Sequence, residues 1–189
     1  YVIDVTNIFP SHLAAVVDLC YGPGDIAIRL SRASATTRVT AVDGSPAMLA
    51  IARAALRSAG LEGRVNLLQA RLPAVALTAG SFDLLLSKDM LHHLPDPQVL
   101  WREVRRLGRP GAAVCVMDLC RPATPAAAHE IVERVSGAEH PLLKTDFYSS
   151  LCAAFTADEL RAQLAAAALP LTVSQLTERH LCIKGRLPG

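Results

Sequence analysis

Apolar residues along this chain fall into short continuous runs separated by stretches in which they recur every three or four positions. AAVVDLC (14–20) is one such run; it closes in the turn YGPGD, after which IAIRLSRA repeats at helical spacing. RVTAVD (38–43) is a second. Gly44-Ser45-Pro46 then predicts a helix start, with Ser45 as N-cap and Pro46 in the first helical position, running through MLAIARAALRS to a stop at Gly60. RVNLLQA (64–70), FDLLLS (82–87) and AAVCVMD (112–118) supply third, fourth and fifth strands, nearly unbroken in apolar residues as strands covered on both faces are.

Between the fourth and fifth strands, Asp96 predicts a cap and Pro97 the opening of a helix with Val99, Leu100, Val104 and Leu107 on one apolar face and Trp101 as its anchor. RPATPAAAHEIVERVSG predicts a turn and a helix, and Thr156 with Glu159 a capping box opening a helix through ELRAQLAAAAL. LTVSQL and RHLCIKG read as two short strands that pair antiparallel. The expected architecture is a doubly wound α/β fold: a mostly parallel seven-stranded sheet with helices on both faces and an antiparallel addition at the carboxyl end. Such sheets bind ligands beyond the carboxyl ends of their strands, which directs attention to residues 18–25, 43–48, 69–72 and 87–89.

The 189 residues, 51% apolar and 19% charged, suit a single domain, 1–189, with a substantial core. A net charge of +2, with Lys and Arg scattered, offers no extended basic face for nucleic acid. No apolar run reaches 18 residues, and the opening YVIDVTNIFP lacks the plan of a signal peptide, so neither a membrane partner nor export is expected and the chain reads as cytoplasmic. Tyr1 is not a start methionine, and the expectation is that a leading segment is missing. Five cysteines without a C-x-x-C pair suggest buried thiols, with no disulfide and no metal site. His129-Glu130 lacks the second histidine of a zinc motif.

VVDLCYGPGD, AVDGSPAML, QARLPAVALTAGSFDLLLS, LHHLPDP and LGRPGAAVCVMD, in that order and spacing, resemble the successive motifs of the class I S-adenosylmethionine-dependent methyltransferases, a Rossmann-like family. The resemblance covers nearly the whole chain. It implies S-adenosylmethionine as cofactor and a small-molecule methyl acceptor as partner, with oligomeric state open. Gly22 and Gly24 lack Cβ atoms, so their turn can take left-handed angles and approach a ligand closely. Asp43, 19 residues past Gly24, stands where a carboxylate accepts hydrogen bonds from ribose hydroxyls. The expected cofactor-binding set is Asp18, Cys20, Gly22, Gly24, Asp43, Gly44, Met48, Ala70, Arg71, Leu72 and Ser87. Within it, Met48 packs on the adenine, Asp18 (with Asp25) faces the cationic methionine end, and the backbone of Ala70 and Leu72 holds the base.

Two residues depart from the family pattern: Cys20 replaces a glycine, and Arg71 stands where an acidic residue meets the adenine amino group, a hydrogen bond that arginine cannot accept. They motivate one alternative, a degenerate non-catalytic binding module. A second is an NAD(P)-dependent oxidoreductase, because residues 22–27 formally satisfy G-x-G-x-x-G/A. Pro23, however, removes an N–H donor and Asp25 puts a carboxylate where a pyrophosphate would sit.

Methyl transfer is an in-line displacement that gains most from alignment and exclusion of water, and a general base is optional. For a hydroxyl or carbon-acid acceptor a base contributes a factor of about 10² to 10⁴. His92 and His93, after the fourth strand, are the candidate catalytic residues; loop capping is the competing account. Lys88 and Asp89 precede them, Lys88 as an acceptor contact or a solvated turn residue. Asp118 either reaches substrate or pairs with Arg121. HPLLKTDFYSSL (140–151), between two helices, forms either a lid lined by Phe147 and Tyr148 or a packed segment.

Overall fold

A computed structural model describes residues 14–22, 25–73 and 75–189. The segment YVIDVTNIFP and the residues Pro23 and Gly24 lie outside them, so the second glycine of the first turn has no structural account. The strands are β1 (Ala15–Leu19), β2 (Arg38–Asp43), β3 (Val65–Gln69), β4 (Phe82–Lys88), β5 (Gly108–Leu119), β6 (Thr172–Thr177) and β7 (His180–Arg186). The helices are α1 (Asp25–Ala33), α2 (Pro46–Ser58), α3 (Gln98–Leu107), α4 (Pro125–Ser136), α5 (Pro141–Ala153) and α6 (Ala157–Ala166), with a 3₁₀ turn at Leu91–His93.

The strands form one sheet in the order β3-β2-β1-β4-β5-β7-β6. β1 to β5 run parallel, and β7 pairs antiparallel with both β5 and β6. Strand order reverses at β1, between β2 and β4, which opens a crevice beyond the carboxyl ends of those strands. Two-residue alternation divides the core. Val17, Leu19, Leu85, Val114 and Val116 face α3 and α6, where Leu100, Trp101, Val104, Leu107, Leu160 and Leu164 are buried. Val16, Ala41, Leu84, Leu86 and Ala113 face α1 and α2 through Ala27, Leu30, Ala52 and Leu56. Each fully buried Leu or Val contributes about 1.5–3 kcal/mol, so both faces hold the strand tips rigid.

Local chemistry explains the boundaries. Ser45 caps α2 through its hydroxyl, which accepts from Met48 N, and Pro46 opens the helix. The box at Thr156 and Glu159 forms in both directions. α3 begins one residue later than expected, at Gln98, whose N–H donates to Asp96 Oδ1 at 2.9 Å. Trp101 rather than Val99 completes its buried face, and Trp101 Nε1 donates to Gln163 Oε1 at 3.0 Å. Residues 140–151 are not an open lid: they lie almost wholly within α5, whose Phe147 and Tyr148 pack beside Leu119, Ile131 and Leu151. The helix escapes the sequence pattern because Pro141 after His140 reads as a turn, whereas proline is at home in the first turn of a helix.

Candidate active site

The turn after β1 is fastened to the end of β2. The N–H groups of Cys20 and Tyr21 both donate to Val42 O at 3.1 Å, and Gly22 N donates to Asp43 Oδ2 at 3.0 Å. Ser45 N donates to Asp43 Oδ1 at 2.8 Å, so one carboxylate braces both loops while keeping lone pairs for a ligand. Gly22 has φ 54° and Cys20 φ 125°, the latter a glycine-type conformation held by a residue with a Cβ. The fold asks for glycine at position 20 and retains a thiol there, at a strain of about 1–3 kcal/mol.

A cavity of about 620 Å³ opens over this turn, lined by Leu19, Cys20, Val42, Asp43, Gly44, Ser45, Ala70, Arg71, Leu72, Met90, His93, Leu94 and Pro95. Its size suits a nucleoside-sized ligand. Cys20, Asp43, Gly44, Ala70, Arg71, Leu72 and His93 of the expected set thus converge on one space. Gly44 lies close to Arg71: a Cβ there would be 2.8 Å from Arg71 Cγ, so a larger residue would displace the arginine side chain. Ala70 N already donates to Asp43 O at 3.1 Å, which leaves the Ala70 carbonyl and the Leu72 backbone for a base.

Other expected residues stand elsewhere. Met48 is 39% exposed on α2 and does not line the cavity. Ser87 is buried with its hydroxyl donating to Leu19 O at 3.1 Å, which ties β4 to β1. Asp25 borders a separate groove between α1 and α2 with Arg29 and Arg32 and does not line the cavity. Asp18, the residue before cavity-lining Leu19, is 1% exposed, and neither of its carboxylate oxygens has a hydrogen-bond partner among the described residues. Met90, Leu94 and Pro95 were not anticipated; they follow from the 3₁₀ turn, which swings LHHLPDP over the crevice.

The electrostatics of the cavity floor are acidic. Burial, then the charge of Asp43, raises the Asp18 carboxyl to about 7, partly offset by Lys88. Burial and the carboxylates of Asp43, Asp18, Asp89 and Asp118 push the Cys20 thiol up to about 12, so it stays protonated at neutral pH. Lys88, half-buried, is ion-paired with Asp89. A buried carboxylate without a hydrogen-bond partner, beside Asp43, is a poor place for an anion and a favourable one for a cation.

On the β4–β5 side, the Nδ1–H of His92 donates to Asp118 Oδ1 at 2.5 Å with both side chains 3% exposed. Asp118 also accepts from Leu91 N at 2.7 Å and Leu119 N at 2.8 Å. The alternative pairing of Asp118 with Arg121 does not occur; Arg121 bonds Glu159. His92, with Nδ1 fixed by Asp118, does not line the cavity, whereas His93 does, its ring centroid 4.0 Å from that of His92. Burial and the neighbouring His92 lower the His93 pKa, leaving the imidazole neutral at pH 7. His129 stacks on Tyr148 with centroids 4.1 Å apart. Among the described residues no group of three or more His, Cys, Asp or Glu side chains is arranged to hold a metal ion, and no helix is long and apolar enough to cross a membrane. The cysteines carry no disulfide among the described residues, and Cys152 is exposed rather than buried.

The family described as "Methyltransferase domain" matches residues 16–111, just over half of the chain, from β1 to the start of β5. The chain belongs to this methyltransferase family. A curated relative from Shewanella halifaxensis, "Ubiquinone/menaquinone biosynthesis C-methyltransferase UbiE", is 30% identical over 121 residues, 64% of this chain and 46% of that protein. The chain spans about half the length of the curated relatives it matches. A solved SAM-dependent methyltransferase from Aquifex aeolicus superposes with a TM-score of 0.75 at 17% identity, covering 97% of this chain and 87% of that one. A solved structure from Bacillus halodurans, described as a "putative methyltransferase", gives 0.74 at 16%, covering 98% and 97%. These two likenesses establish the Rossmann-like methyltransferase fold. Neither the oxidoreductase nor the degenerate-module alternative is favoured by these matches.

Proposed function

We propose that this methyltransferase domain binds S-adenosylmethionine in the cavity over β1, β2 and β3 and methylates a small molecule entering beside His93. The observation that carries the reading is Asp18: a buried carboxylate with no hydrogen-bond partner among the described residues, beside the Asp43 carboxylate and only partly offset by Lys88, is stabilised by a cationic ligand. The residues fit the donor. Asp43 offers its remaining lone pairs to a ribose, Asp18 and its acidic neighbours face the ammonium and sulfonium charges, and the apolar wall of Val42, Leu72, Met90 and Leu94 covers the base. When bound, S-adenosylmethionine supplies an electrophilic methyl group.

The chain's own residues then orient and deprotonate. Asp118 holds His92, and with it the 3₁₀ turn that carries His93 to the edge of the cavity. A neutral imidazole nitrogen of His93 takes the acceptor's proton, and Cys20, protonated, is no competing nucleophile. A carbon acid or hydroxyl-bearing acceptor is the class such a base serves, in keeping with the C-methyltransferase name of the Shewanella relative. The test is incubation with methyl-labelled S-adenosylmethionine and a panel of phenols, quinols and β-dicarbonyl compounds, read by mass spectrometry. Label should appear in an acceptor with wild-type protein and vanish with Asp43→Ala. Tight donor binding without transfer to any acceptor class would favour the non-catalytic module instead.

A further inference from the structure

We propose that Arg71 sets the base specificity of this cavity, so that it accepts a purine bearing oxygen at position 6 at least as well as one bearing an amino group. The inference rests on the donor reading above and concerns the opposite end of the same site. The carboxylates of Asp18, Asp89 and Asp118 stand on or just past β1, β4 and β5, and Asp43 ends β2. A ligand whose cationic end lies among them and whose ribose meets Asp43 must extend its base toward β3, because the sheet runs β3-β2-β1-β4. Arg71 stands there, two residues beyond the end of β3.

Its exposed side chain runs beside Gly44: a Cβ on residue 44 would sit 2.8 Å from Arg71 Cγ and 3.1 Å from Nε, so the arginine in this position lies against the Gly44 backbone. The guanidinium has no hydrogen-bond or ion-pair partner among the described residues. Apart from Asp43, whose oxygens already brace Gly22 and Ser45, no carboxylate among the described residues lines the cavity to accept from an amino group.

A guanidinium only donates. Adenine offers it N7 as acceptor but opposes it with the N6 amino donor, whereas a 6-oxopurine presents O6 and N7 together, the pair that an arginine fork grips with two hydrogen bonds. The exchange is worth about tenfold in affinity or more.

Dissociation constants of S-adenosylhomocysteine and S-inosylhomocysteine, measured by calorimetry on the whole chain and on Arg71→Ala and Arg71→Asp, test this. The wild type should bind the inosyl ligand as tightly as the adenosyl one or more tightly. Arg71→Asp should favour the adenosyl ligand by about tenfold or more, with Arg71→Ala between. A wild-type preference for the adenosyl ligand that Arg71→Ala leaves unchanged overturns the proposal while sparing the donor reading. Failure of the folded wild type to bind either ligand overturns both.

Discussion

Replacing Asp18 with asparagine removes a buried charge and keeps the shape, so it weighs the charge directly. The carboxyl is raised from 3.8 to about 7, chiefly by burial and secondarily by Asp43. Roughly three units at about 1.4 kcal/mol each amount to about 4 kcal/mol of destabilisation of the ligand-free fold when Asp18 is ionised. The folded pKa lies above the unfolded one, so the folded state holds the proton more tightly. The penalty is therefore absent below about pH 4, grows between 4 and 7, and is complete above 7. The asparagine side chain is neutral throughout, and the Asp18→Asn variant should match the protonated wild type at low pH. Thermal and urea unfolding at pH 4.5, 6 and 8 should show Asp18→Asn gaining on the wild type with pH, by about 10 °C in Tm at pH 8 for a chain of this size. The same variant should bind S-adenosylmethionine about tenfold to a hundredfold less tightly, since a charge-assisted contact is lost. Wild-type affinity for the cationic donor should rise with pH up to about 7. A stability difference that does not change with pH, or an asparagine variant less stable than the wild type at pH 8, would refute the reasoning.

Cys20→Gly should relieve the strain at φ 125° and widen the methionine end, tightening donor binding several-fold in a calorimetric titration; weaker binding would mean that the cavity is shaped around the thiol. His93→Ala should leave Tm within about 2 °C and lower methyl-transfer kcat by about 10² to 10⁴. His92→Ala should instead lose about 3 kcal/mol in urea unfolding, because Asp118 is left buried without its imidazole. The reverse outcome, a stable His92 variant without activity and an active His93 variant, would exchange the two roles.

Sequence pattern carried the fold because buried parallel strands are apolar throughout and helix starts are marked by caps such as Ser45-Pro46 and Thr156/Glu159. It carried the cavity as far as Asp43, Gly44, Ala70, Arg71 and Leu72, since each ends or follows a strand whose order could be foreseen. It did not carry partnerships between distant residues. Asp118 meets His92 only because β4 and β5 are neighbours, whereas the sequence points it to substrate or to Arg121, three residues away. Met48, one helical turn past Asp43, stands 39% exposed on α2 and outside the cavity lining, which the sequence does not reveal. The burial of Asp18 could be foreseen from its strand, but not its lack of partners, which depends on which backbone amides are already bonded to Asp43 and Val42.

Calorimetric titration of S-adenosylmethionine into the wild type and Asp43→Ala addresses the cavity itself. One site of micromolar affinity in the wild type, weakened at least a hundredfold in a variant that unfolds with the same cooperativity, is the expected result. Equal affinity in the two proteins, or no heat of binding with folded wild-type protein, would contradict the assignment of this crevice to an adenosyl sulfonium.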